Sequence, residues 1–142
     1  MARVEKSTTI NAPLEKVFNY IAEPTNLLEI WPSLIDVKDV YWIVTGRRAR
    51  WAYKMAGILF EGTAEDSEYK VNDRIVTETK QGIRSTIAWI FKPDADGTKV
   101  TLIVEYSVPI PVLGKLAEII INKINDHEGG LIMANLKVIM EG

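Results

Sequence analysis

Residues 111–140 carry apolar side chains at three- and four-residue steps, and they follow a long run of strand-like segments. No other feature of the chain constrains its fold as strongly. Leu113, Leu116, Ala117, Ile120, Ile124, His127, Leu131, Ala134 and Val138 fall on this repeat, which predicts a helix with one apolar stripe. At 1.5 Å per residue such a helix is about 45 Å long, enough to cross a whole sheet diagonally. A long helix gripped by a curved sheet tends to enclose a pocket, which places function in a cavity and not in a short motif. Gly129 and Gly130 interrupt the pattern, and each costs on the order of 1 kcal/mol in a helix interior relative to alanine. Three readings stand side by side: a kink that gates a cavity, close packing against a neighbour, or a break into two helices.

Ahead of the helix, Val4 to Ile10 alternates and is rich in threonine, as a strand does. Asn11 is placed to cap a short helix whose first turn holds Pro13 and whose apolar residues are Val17, Phe18 and Ile21. Pro24 ends it. A second short helix over 25–30 stops at Trp31-Pro32. Six further strands are expected over 35–44, 49–56, 58–69, 74–80, 83–92 and 98–108, joined by turn signals such as Thr45-Gly46, Asn72-Asp73, Gln81-Gly82 and Pro93–Gly97. Pro109 and Pro111 bracket the start of the long helix. Successive strands with short connections make an antiparallel meander, and its buried face needs the terminal helix as a cover.

Alternation assigns faces. Ala49, Trp51, Tyr53 and Met55 share one side, as do Ile58, Phe60, Gly62 and Ala64 in the next strand, and Ile75, Thr77 and Thr79 after it. Ile83, Ile87, Trp89 and Phe91 form another inward set, and Val100, Leu102, Val104 and Tyr106 the last. Large aromatics mixed with glycine, alanine and threonine can leave a void, although aromatic side chains also pack into a filled core with nothing bound.

The bulk numbers exclude several classes. At 142 residues the chain is expected to form one domain, 1–142, with a full core. Net charge −2 argues against a general nucleic-acid binder. The absence of cysteine removes disulfides and thiolate ligands and fits a reducing, cytoplasmic setting. One histidine leaves no His-rich metal site. Met1–Lys6 does not read as a secretory signal, and no apolar run reaches the roughly 18–20 residues of a membrane span, so stable membrane insertion is not expected. Arg47, Arg48, Arg50 and Lys54, interleaved with Trp51 and Tyr53, suggest a single-strand binder. Alternation separates the aromatics from Arg50 and Lys54, so the basic stretch reads as a solvated outer face. Glu61, Glu65, Asp66 and Glu68 read as solvated strand charges without metal-ligand spacing. Arg84 or Glu105 would anchor a ligand head group only if turned inward.

The order and spacing of several pieces resemble the START/Bet v1-like (SRPBCC) superfamily of polyketide cyclase/dehydrase and lipid-transport proteins. The pieces are Ser7–Pro13 followed by Val17–Ile21, Pro24, Trp31-Pro32, Ile87–Pro93, Asp96–Thr101, Glu105-Tyr106 and Asn135–Glu141. The resemblance covers essentially the whole chain. It implies an α+β helix-grip fold: a seven-stranded antiparallel sheet wrapped around the C-terminal helix, with two short helices between strands 1 and 2. It also implies a cavity for a lipid, polyketide or quinone-like ligand, without a catalytic signature common to the family.

The resulting expectation is a binding or carrier protein for a small hydrophobic molecule. Its cavity would be lined from the sheet by Trp51, Tyr53, Met55, Phe60, Ile75, Trp89, Phe91, Leu102 and Tyr106, and from the helix by Leu116, Ile120, Ile124 and His127. No catalytic residue, cofactor or metal is assigned. A cyclase or dehydratase using His127 or a tyrosine as acid/base is the first alternative, although a lone histidine at a helix edge is more often structural. A protein-interaction module at the open end of the fold is the second.

Overall fold

The computed structural model describes residues 2–107 and 114–142. Seven strands, β1 (Ala2–Ile10), β2 (Leu34–Ile43), β3 (Gly46–Met55), β4 (Ile58–Lys70), β5 (Arg74–Thr79), β6 (Ser85–Asp94) and β7 (Gly97–Tyr106), form one sheet in the order β1-β7-β6-β5-β4-β3-β2. Every neighbouring pair is antiparallel. Strands β2 to β7 are a meander. The exception to sequential pairing is β1, which runs beside β7 at the far edge, from Ala2 opposite Tyr106 to Ile10 opposite Thr98. Two short helices, α1 (Leu14–Ala22) and α2 (Leu27–Ile30), with a 3-10 turn Pro24–Asn26 between them, carry the chain from one sheet edge to the other. The long helix α3 runs unbroken from Gly114 to Glu141. This is the expected α+β helix-grip architecture.

Local chemistry explains where the elements stop. Pro13, extended at ψ 144°, is the residue before α1, and no side chain caps the helix. Asn11 does not provide the expected cap. Its backbone N–H donates to Glu141 Oε2 at 2.8 Å, tying the approach to α1 to the end of α3. Strand β6 continues through Pro93 to Asp94, so the β6–β7 connection is only Ala95-Asp96, with Ala95 at φ +51°. The expected five-residue loop is therefore mostly strand. Irregularities in β2, one of them around Asp39 at φ +56°, and in β4 between Asp66 and Glu68 disturb the ladders, and bulges of this kind bend a sheet. The one in β4 also resets its alternation, so that Tyr69 as well as Asp66 points inward, Tyr69 packing edge-on against Phe18.

The core is in two parts. The larger joins Val17, Phe18 and Ile21 of α1 to Trp89, Phe91, Leu102, Ile132 and Leu136. The smaller gathers Val4, Met55, Ile83, Tyr106 and Ile121 near the N-terminal half of α3.

The face that α3 buries differs from the expected stripe. Ile121, Glu128, Gly129, Ile132, Met133, Leu136 and Met140 are buried, whereas Leu116 is 73% and Val138 72% exposed, and Ile120, Ile124 and Leu131 also face outward. His127 and Ala134 are exposed too. The cause lies in two buried residues that hydropathy scores as outsiders. Gly129 permits close approach to β1, where a Cβ would come within 2.7 Å of Val4 Cγ1. Glu128 is buried because donors surround it. Close packing is thus the role of Gly129, while Gly130 is exposed with open space beside it. Leu113 and the two prolines before it lie outside the described residues.

Candidate functional site

A cavity of about 170 Å³ lies between the inner face of the sheet, the short helices and the middle of α3. Its wall is largely apolar: Ala49, Trp51, Tyr53 and Met55 of β3, Ala64 of β4, Ile83, Ile87 and Trp89 around β6, and Leu102, Val104 and Tyr106 of β7. Ile21, Leu27, Trp31 and Leu34 close the side toward the short helices, and Asn125, Glu128, Gly129 and Ile132 form the helical wall. The strand residues share this surface because alternation on neighbouring antiparallel strands stacks like-facing residues, as in Trp51 opposite Gly62 and Trp89 opposite Leu102. Gly62 and Gly82 make room for the Trp51 indole, since a Cβ on either would meet its ring at 2.7 and 3.0 Å. The indole Nε1 is buried without a partner among the described residues.

Two polar clusters interrupt the wall. At one, Arg47 and Asp66, 8% and 2% exposed, form a bidentate pair: Nε to Oδ2 at 2.7 Å and Nη2 to Oδ1 at 3.1 Å. The Arg47 backbone N–H also donates to Asp66 Oδ2 at 2.7 Å, Thr77 Oγ1 donates to Oδ1 at 2.8 Å, and Arg47 Nη1 donates to the Ala22 carbonyl at 2.7 Å. The guanidinium lies 5.5 Å from the Tyr69 ring centre. Strands β3, β4 and β5 are thereby stitched to the end of α1. At the other cluster, Glu128 is 8% exposed and accepts four bonds. Tyr53 OH donates to Oε1 at 2.5 Å and Trp31 Nε1 at 3.1 Å, while the Ser33 N–H at 3.0 Å and the Ser33 hydroxyl donate to Oε2. Four donors fit the ionised carboxylate, which only accepts and has about four lone-pair sites. Burial, reinforced by the neighbouring Glu128 charge, pushes the Tyr53 phenol well above its ordinary range, so it stays protonated as a donor. Thr79 and Ser85 share a hydroxyl–hydroxyl bond of 2.6 Å in a third part of the wall. Tyr106, raised by burial, donates to Asn122 Oδ1 at 2.7 Å.

Of the residues picked from the sequence, Trp51, Tyr53, Met55, Trp89, Leu102 and Tyr106 come together on the cavity wall. Ile75 and Phe91 lie in the solid part of the larger core, and Phe60 packs beside the smaller one. Leu116, Ile120, Ile124 and His127 face away from the cavity. The alternative that makes His127 the acid/base of a cavity reaction therefore lacks its geometry. Arg84 and Glu105 are exposed as well. Arg47 and Asp66 correct the reading of the basic stretch and the acidic strand charges as wholly solvated: both are buried and paired, whereas Arg50 and Lys54 do face outward. A signal for the pair existed, because Arg47 continues the series 49, 51, 53, 55 and Asp66 the series 62, 64. Glu128 carried a weaker one, lying on the same helical face as Ile121, Asn125, Ile132 and Leu136. No group of His, Cys, Asp or Glu that could hold a metal occurs among the described residues. Nor is any described helix long and apolar enough to cross a membrane.

Residues 1–131 match the polyketide cyclase/dehydrase and lipid transport family, and the chain belongs to it. No curated protein sequence matches the chain. Solved structures of similar fold include TTHA0849 from Thermus thermophilus, at 22% identity over 95% of this chain and 94% of that one, with a TM-score of 0.78. The Zhui aromatase/cyclase from Streptomyces sp. R1128 is 16% identical over 98% and 93% of the two chains, with a TM-score of 0.81. DR_A0006 from Deinococcus radiodurans is 18% identical over 98% and 97%, with a TM-score of 0.73. At these identities the likeness is one of fold.

Proposed function

We propose that the protein binds and carries a small apolar molecule in the cavity between the sheet and α3. The observation that carries this reading is the cavity itself, about 170 Å³ of space walled by Trp31, Trp51, Trp89, Leu102 and Ile132 inside an otherwise filled core. An engineered apolar cavity of about 150 Å³ accepts benzene, so the guest has the size of one or two rings or a short chain. Membership of a family named for lipid transport and polyketide chemistry supports the same reading. Burial of the guest would supply about 25 cal/mol per Å² before ordering costs. A thermal-shift screen of lipids, polyketide fragments and quinones tests it: a true guest raises the melting temperature by linkage, and a guest that co-purifies is seen by extraction and mass spectrometry. Failure of every apolar compound to shift the transition would end the proposal.

A second reading, cyclase or dehydratase chemistry, draws on one pair of residues. Tyr53 faces the cavity with its phenol held neutral against Glu128, and on guest entry that proton would have to leave Glu128 to reach a guest carbonyl. Turnover of a poly-β-keto compound that is lost in Tyr53→Phe, with guest binding retained, would support it.

A further inference from the structure

The cavity wall is unbalanced in charge, and the inference drawn from this rests on the binding reading above. Three charged side chains line the cavity: Arg47, Asp66 and Glu128. Arg47 and Asp66 neutralise each other through their paired bonds. Glu128 has no such counterpart. None of the described lysine or arginine side chains lies in ion-pair range of it, and its four donors, from Tyr53, Trp31 and Ser33, are all neutral. Hydrogen-bond dipoles alone therefore stabilise a buried negative charge beside an apolar space. The polar groups beside Glu128 are engaged with one another, whereas Trp51 Nε1, elsewhere in the lining, is a donor without a partner among the described residues. Tyr53 spends its only proton on Glu128 and accepts a 3.3 Å bond from Trp31 Nε1, so it has no proton to give an anionic guest. The rings of Trp31 and Tyr53, T-stacked at 6.5 Å, add aromatic surface beside Glu128.

We propose that the cavity selects its guest by charge, taking apolar molecules whose polar end is cationic or donates a hydrogen bond and rejecting carboxylates and other anions. A like charge brought against this largely apolar wall is only partly screened by solvent, and its repulsion by Glu128 is worth about tenfold in affinity. A simple fatty-acid carrier is thereby disfavoured in comparison with a carrier of amines, alcohols or phenols.

The test is a matched series of one tail with three heads: octylammonium, octan-1-ol and octanoate, titrated calorimetrically into the full chain at about pH 7.5, where the amine is cationic and the acid anionic. Salt at about 0.5 M suppresses attraction to exposed acidic groups more than to the buried Glu128. The expected result is octanoate at least about tenfold weaker than octylammonium, with the alcohol between or equal to the amine. Glu128→Gln, which keeps the shape and removes the charge, should collapse that ratio. Tyr53→Phe, which strips one donor from the carboxylate while keeping the ring, should widen it, so the proposal remains testable should the first variant not fold. A role of Glu128 confined to holding α3 in place would not move the ratio in opposite directions in the two variants. Octanoate binding as tightly as octylammonium, or a ratio unchanged in both variants, overturns charge selection while leaving the binding reading intact. Absence of both heat and a thermal shift with all three heads, together with failure of the wider screen, overturns the binding reading and this inference together.

Discussion

Asp66 organises three elements through one carboxylate, taking bonds from the Arg47 guanidinium and backbone and from Thr77. Breaking such a buried pair from one side strands the remaining charge, a loss of about 3–5 kcal/mol. Asp66→Asn should therefore lower stability to urea by that amount, read as a fall in transition midpoint at constant slope. A change below about 1 kcal/mol would mean that solvent reaches the guanidinium. Gly46 serves the same pair: it sits at φ +151°, and a Cβ there would lie 2.6 Å from Asp66 Cβ. The pair was partly legible from sequence. Strand parity placed Trp51, Tyr53 and Met55 on the cavity, but the same parity carried to the strand ends was outweighed by the ordinary preference of charged residues for water. Glu141 supplies a pH-dependent counterpart. The Asn11 N–H and then Lys137 hold its carboxyl below the usual carboxylate range. A depressed folded value gives stability that is present above the unfolded value, near about 4.3, and disappears as pH falls through the folded one. The stability difference between wild type and Glu141→Gln should accordingly be constant above about pH 6 and vanish in acid. A difference that persists near about pH 2, below both values, would assign the effect to something other than this charge.

At the scale of the element, α3 shows how a helix can be read correctly in extent and wrongly in orientation. Its length followed from periodic apolar residues, while its continuity through Gly129-Gly130, which the sequence left open, is a finding of the structure. Its buried face did not, because leucine and isoleucine occur on more than one side, and the buried side includes a glutamate and a glycine that hydropathy scores against. Polar satisfaction and close backbone approach decided the packing, and neither is written in hydrophobic periodicity. The glycine pair separates these effects experimentally. Gly130→Ala, exposed with free space around it, should stabilise the helix by about 0.5–1 kcal/mol. Gly129→Ala should destabilise the protein, because the added methyl reaches within 2.7 Å of Val4, a β-branched side chain with little room to turn. Equal melting temperatures for the two variants would remove the case for close packing.

At the scale of the whole molecule, the sheet, the helices and the resemblance converged from sequence because alternation, turn residues and element order agree with one another. The cavity was an expectation that strand parity leaves open, since the same aromatics can fill a core. Cavity and fold are separable in principle. Ala64 lines the space from β4, and Ala64→Leu places three more carbons there. The variant should keep its circular dichroism spectrum and cooperative unfolding but bind any guest found by the screen at least about tenfold more weakly. Undiminished binding by a folded Ala64→Leu protein would place the guest elsewhere.

The pairing of β1 with β7 has a consequence during synthesis. Ala2 waits for Tyr106, its partner across the ladder. At about 5–20 residues per second that delay is on the order of 5–20 s, during which the first strand leaves the ribosome with an unsatisfied backbone. Arg3, Glu5 and Lys6, alternating along it, give the nascent segment charges that discourage premature pairing with another chain. Closure of the sheet is a late event that waits for its last strand, and α3 follows to cover it.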